Sequence, residues 1–478
     1  MRIPSLEFVG FFLLAALGWL LLPRKVRKPW LLLACYVFYY LAGGAFAFLL
    51  AGETLLGWLL ALAAEKRFLG RRKLWTGLGA AAVLLTLCLF KYVRFFLSAI
   101  PGFSPGFLTG WAVPVGISFF SFTIAGYLFD VHREKYPAER NLLDYALFAA
   151  FFPTLLSGPI ERGSTLLPQI RELPSGSGEE RRRGLIRFFW GAAKKLVAAD
   201  TIGLYVDACY ADPSAVSGGA MLFAVLLYSF QIYLDFSGYS DMAIGCGQML
   251  GFRLTENFRA PYLTTGVKEF WRRWHISLTS WFREYLYFPL GGSRRGKTLA
   301  MVNVLIVFAV SGLWHGAGLT FILWGLLNGA FLVMGSLTLP GRKKLWQRLG
   351  LREDGALLCS VRCAITFCLI TGAWILFRAE SLDQGVYVVK HILLILRDGF
   401  GMESALSLLP EGQRWVVGLS LVPFVAEDAA IRMKRGQPGL LENPFLYWGA
   451  VLLLCIAVCW FGVYGMGFDT REFVYFQF

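Results

Sequence analysis

Between Thr298 and Gly341 the chain contains no Asp, Glu, Lys or Arg. At roughly 20 residues per crossing, that stretch is long enough to traverse a hydrocarbon layer twice. Backbone surrounded by lipid must satisfy its own hydrogen bonds, so such a run folds as helix. Similar apolar runs recur at Leu6–Leu22, Trp30–Leu50, Leu74–Leu97, Trp111–Phe129, Leu142–Leu156, Leu185–Val206, Ala220–Leu234, Leu357–Phe377, Trp415–Ala426 and Phe445–Met466. With 57% hydrophobic and only 16% charged residues, the chain lies outside the range of water-soluble domains. The predicted fold is all-α, a polytopic integral membrane bundle of about 11 transmembrane helices with re-entrant and interfacial pieces. Thr54–Ala64, Met242–Phe252 and Val386–Leu396 are short enough to read as re-entrant or tilted pieces.

The formal net charge of +15 does not indicate nucleic-acid binding, because the basic residues cluster between the apolar runs. The clusters are Arg24–Lys28, Lys66–Lys73, Arg181–Arg187, Lys268–Lys297, Arg342–Arg352 and Arg432–Arg435. Read as short loops held in the cytoplasm, they place the N-terminus outside and the first loop inside a cytoplasmic (inner) membrane. Leu6–Leu22 lacks a basic flank and a small-residue cleavage site, so it reads as a retained helix. The nine cysteines lie mostly in apolar runs and show neither disulfide nor zinc spacing, so no metal is expected. The polar segment Glu172–Gly184 reads as a linker within one membrane domain. In that reading residues 1–110 are peripheral, 111–340 form the functional core, and 341–478 add C-terminal helices.

His315 lies in the middle of the charge-free stretch, and an intramembrane titratable group is paired, faces water or does chemistry. Its surroundings, Ser311-Gly312-Leu313-Trp314-His315-Gly316-Ala317-Gly318, include three glycines that permit a helix break and a close approach by substrate. Along unbroken helix it lies roughly 27 Å beyond Lys297. It therefore sits either at the far interface or deep in a locally thinned protein. His275 follows Lys268-Glu269-Phe270-Trp271-Arg272-Arg273-Trp274, a composition typical of the headgroup level, where arginines bind phosphates of lipid or ligand. Asp235 and Asp241, interleaved with hydroxyl residues, read first as structural carboxylates. Glu161 and Arg162 read as a loop ion pair or gate.

Five segments occur in order: Asp235–Gly245, Gly251–Phe258, Phe270–Leu278, Tyr285–Gly292 and Ser311–Ala317. Together they resemble the membrane-bound O-acyltransferases, in the branch of the alginate O-acetyltransferase membrane subunits. The likeness runs from about Pro114 to the aromatic end Phe473–Phe478. It implies that His315 is the catalytic histidine and His275 a second histidine on the cytoplasmic side. It also implies that Trp274 and Trp314, with Ser311 and Asp241, line the passage for substrate. Asn328 stands where relatives often carry another histidine.

A thioester carbonyl accepts a hydroxyl oxygen only as that oxygen loses its proton, and neutral imidazole is a suitable base. The resemblance therefore implies acetyl-CoA or another acyl thioester as donor substrate, with no bound cofactor. Lys268, Arg272, Arg273, Arg294 and Arg295 are candidates to hold the donor phosphates, or lipid instead. The expected partners are membrane lipid, an extracytoplasmic SGNH-type acetyltransferase and, through it, a polysaccharide acceptor. Two alternatives stand beside this one: a D-alanyl transferase for teichoic acids fed by a carrier protein, and a proton-coupled transporter or flippase.

Overall fold

The computed structural model describes residues 3, 5–66, 70–98, 100, 112–395, 411–433 and 443–463. Phe473–Phe478 lie outside the described residues. Every regular element among the described residues is helical. The first are α1 (Leu6–Leu21), α2 (Arg24–Gly43), α3 (Phe46–Glu65), α4 (Arg72–Ser98), α5 (Ile117–His132), α6 (Leu142–Ala149), α7 (Phe152–Leu155), α8 (Gly163–Glu172) and α9 (Gly178–Ala192). A π-helical turn, Ala193–Ala199, leads into α10 (Asp200–Ala211) and then α11 (Gly218–Met249). Short α12 (Val267–Arg273) and α13 (Ile276–Phe282), with a second π-helical turn at Arg283–Tyr287, precede α14 (Lys297–His315) and α15 (Leu319–Arg348). The series ends with α16 (Ala356–Arg378), α17 (Leu382–Leu393), α18 (Glu411–Arg432) and α19 (Pro444–Phe461).

The chain is an all-α polytopic membrane protein. Among the described residues seven helices, α3, α4, α11, α14, α15, α16 and α19, are long and apolar enough to cross a membrane, and α1 and α5 are shorter apolar helices. Several expected segments fold differently from their sequence reading. Thr54–Ala64 is the second half of the full-length α3, and Met242–Phe252 begins as the last turns of α11. Leu142–Leu156 breaks into α6 and α7, with Pro153 in the first turn of the latter. The expected linker Glu172–Gly184 is helical from Gly178. Ser177 Oγ accepts the Glu180 N–H at 3.0 Å, and the Glu180 carboxylate accepts the Ser177 N–H at 2.8 Å. This reciprocal capping box starts a helix from polar residues that composition alone assigns to coil. Arg342–Arg348 likewise continue α15 instead of forming a loop.

The described chain divides into two compact units, each assembled from separated stretches. One comprises Met1–Ala192, Tyr239–Glu256 and Leu440–Leu452. Within it Arg187 holds the Glu256 carboxylate with two bonds of 2.6 Å and Asp241 at 2.9 Å. Buried Glu161 accepts the Thr255 N–H at 2.6 Å and the Thr255 hydroxyl at 3.0 Å.

The other unit comprises Ala193–Gly238, Asn257–Gly439 and Leu453–Phe478. There α14 and α15 meet at glycines: a Cβ on Gly325 would lie 2.1 Å from Phe308 O, and one on Gly312 would lie 2.2 Å from Phe321 O. Only hydrogen allows so close a crossing. Lys195, in the first π-helical turn, is buried between Asp235 and Asp200, the latter at 2.8 Å. Its neighbour Lys194 pairs with Glu427 at 2.8 Å.

Candidate active site

Two helix ends create the site. α14 runs unbroken from Lys297 and stops at His315, because Gly316 and Gly318 take extended backbone and α15 restarts at Leu319. The chain also breaks between α12 and α13, where His275 adopts left-handed backbone, φ 45° and ψ 55°. That conformation costs a non-glycine residue about 1–3 kcal/mol and persists only where the surroundings enforce it. Here Asn257 enforces it: its backbone carbonyl accepts the Ile276 N–H at 3.0 Å, and its side-chain Oδ1 meets the Ser277 N–H at 3.2 Å, Ser277 Oγ at 2.9 Å and His275 Nδ1 at 3.3 Å. His275 O in turn accepts the Thr279 N–H at 2.9 Å, which begins α13.

These two breaks bring the imidazole rings of His275 and His315 to 6.4 Å between centroids, with residue exposures of 1% and 3%. Burial pushes the pKa of His275 down to about 3, so this ring is neutral. Aromatic edges pack around both rings. His275 meets Phe236 at 4.6 Å and Trp314 at 5.9 Å, while His315 meets Trp314 at 4.9 Å, Trp324 at 5.1 Å and Phe377 at 5.4 Å. A cavity of about 420 Å³ lies between α11, the Tyr262–Leu263 segment, α16 and α18. It is lined by Tyr233 and Tyr262 but not by either histidine. Trp274 touches both tyrosines. Trp374 Nε1 donates to Tyr262 Oη at 3.2 Å, and its ring stacks on Trp324. A continuous aromatic wall thus connects the cavity to His315.

A family model described as MBOAT, the membrane-bound O-acyltransferase family, matches residues 130–379, more than half the chain and the stretch containing both histidines. The chain is a membrane-bound O-acyltransferase. A Pseudomonas putida protein named "Probable alginate O-acetylase AlgI" is 39% identical over 392 residues, covering 80% of this chain and 78% of that protein. The peptidoglycan O-acetyltransferase of Helicobacter pylori is 34% identical over 422 residues, covering 81% of this chain and 77% of that protein. The teichoic acid D-alanyltransferase of Streptococcus thermophilus is more distant, 28% identical over 250 residues, with 48% and 59% covered.

Other residues singled out in this acyltransferase take varied places. Ser311 is buried one helical turn before His315, and Trp314 lies against both histidines. Trp274 packs face to face with Phe270, within the aromatic wall. Asp241 is held by Arg187 together with Glu256, and Asp235 by Lys195, so both have the ion-pair partners of structural carboxylates. Asn328 donates to Trp324 O at 2.9 Å, one turn back in its own helix.

The basic residues are spread along the acyltransferase. Lys268 and Arg272 are exposed on α12, whose Trp271 packs on Phe308, roughly 16 Å up α14 from Lys297. Arg294 and Arg295 are exposed just before α14 begins, and Arg273 is bound by Glu269 at 2.6 Å. Sequence reasoning missed Asn257, whose side chain reaches His275 across 18 residues, and Lys195, hidden in an apparently apolar run. Nothing periodic marks either one.

Proposed function

We propose that this acyltransferase takes an acetyl group from a cytoplasmic thioester, acetyl-CoA, and moves it across the cytoplasmic membrane for O-acetylation of an exported or cell-wall polysaccharide. His315 serves as the general base. The buried imidazole pair at the junction of two helix breaks carries this reading. The names of the alginate and peptidoglycan O-acetylating relatives support the substrate class.

In the reaction the acceptor O–H passes its proton to His315 as the oxygen bonds to the thioester carbonyl carbon. The C–S bond then breaks, and the departing thiolate takes the proton back as free thiol. The imidazolium formed in between stands at the C-terminal, carbonyl-rich end of α14, where positive charge is favoured. Lys268, Arg272, Arg294 and Arg295 are the side chains we assign to the donor phosphates. An extracytoplasmic SGNH-type partner is the acceptor through which the polysaccharide is modified.

The test is thiol release from acetyl-CoA by purified protein in detergent, with and without His315→Ala. Loss of a general base lowers turnover by about 10²–10⁴-fold. Wild-type turnover in the variant overturns the assignment of the base. Turnover of a D-alanyl carrier-protein thioester in place of acetyl-CoA replaces the donor by that of the teichoic acid relatives.

A further inference from the structure

Asn257 shows no exposed surface, and its Oδ1 points into the gap between α12 and α13. The orientation of its amide is forced. The Ser277 backbone N–H can only donate, so the atom facing it at 3.2 Å must be the acceptor oxygen; an inverted amide would set two donors against each other. The same oxygen lies 3.3 Å from His275 Nδ1. Were Nδ1 bare, two lone pairs would oppose each other at 3.3 Å, too close for a water between them, so Nδ1 carries the proton. A neutral imidazole holds only one, and burial keeps this ring neutral.

We propose that Asn257 is a positioning residue that fixes His275 as its Nδ1–H tautomer, leaving Nε2 as the acceptor nitrogen of the ring. The role at the reacting centre rests on the function proposed above; the tautomer itself does not. In that form His275 can only accept at Nε2, from a donor such as the acceptor hydroxyl or the imidazolium of His315, whose ring centroid lies 6.4 Å away. It cannot donate to the thioester carbonyl, so the oxyanion must be met by other groups. The left-handed backbone at His275 serves the same end, because the Asn257 carbonyl and amide oxygens together clamp residues 275–277 in that turn.

The test uses full-length protein with ¹⁵N-labelled histidine in lipid. The chain has four histidines, so His275→Gln identifies the His275 signals by their loss. The wild type should show Nε2 of His275 at the shift of an unprotonated ring nitrogen and Nδ1 at that of a protonated one. Asn257→Asp keeps the acceptor and should preserve this pattern, whereas Asn257→Leu should mix the tautomers and lower kcat by about ten- to a hundredfold with little change in KM. A protonated Nε2 in the wild type overturns the proposal, and so does a folded Asn257→Leu variant with unchanged nitrogen shifts. If the wild type turns over no thioester, the proposed function falls, while the nitrogen shifts still decide the tautomer.

Discussion

Gly312→Ala puts the smallest possible change at the tight crossing of α14 and α15, just before His315. The new Cβ would lie 2.2 Å from Phe321 O and 3.2 Å from Ile322 Cα, both backbone atoms of α15 that no side-chain rotation can clear. Carbon and carbonyl oxygen settle at about 3.3 Å or beyond, so the two helices must part by about 1 Å at this crossing. Overpacking of this kind costs about 1–3 kcal/mol, offset by about 1 kcal/mol because alanine is the better helix former. The net loss of stability is therefore modest, about 0–2 kcal/mol. Catalysis should suffer more, because His315, the base proposed above, lies three residues on, at the end of the same helix, and moves with it. A misplacement of about 1 Å costs about 10²-fold in rate. Acyl-transfer turnover and thermal unfolding, both measured in detergent, separate the two effects. Gly335→Ala is the control, since a Cβ there meets nothing within 4 Å. Wild-type turnover and wild-type unfolding in Gly312→Ala would refute the close crossing as the device that places His315.

Lys195→Met should leave Asp235 and Asp200 as buried carboxylates stripped of their cation, costing about 3–5 kcal/mol in unfolding measurements. Replacing both aspartates with leucine in the same chain should recover much of that loss, and a Lys195→Met protein as stable as wild type would rule out the buried ion cluster. Burial pushes the Glu161 carboxyl up to about 7, against the hydrogen bonds from Thr255 that lower it, so the folded state binds this proton more tightly than the unfolded chain. The stabilisation from that proton is complete below the ordinary value of 4.5 and is lost as pH rises through about 7. Glu161→Gln should remove this slope from the unfolding temperature between those pH values while retaining an acceptor for the Thr255 N–H. Identical slopes in the two proteins would show that the carboxyl is not titrating there.

The sequence by itself determined that this chain lives in a membrane, that it is helical, and which histidine stands alone in a charge-free run. These properties are local or additive: the length of an apolar run, the absence of charge between Thr298 and Gly341, and a histidine flanked by tryptophan and three glycines. Helix ends were partly legible for the same reason, although the capping box at Ser177 and Glu180 lay unread in a segment whose polarity suggests coil. Tertiary structure alone decided which groups meet. His275 and His315 lie 40 positions apart, and Asn257 reaches His275 from another turn of chain. Lys195 is tolerated inside an apolar run because Asp200, five residues on, and Asp235, brought in by α11, both pair with it. Helical periodicity relates a residue to its neighbours three and four positions away. Contacts across tens of residues depend on how whole helices cross, and at α14 and α15 that crossing rests on two missing methyl groups.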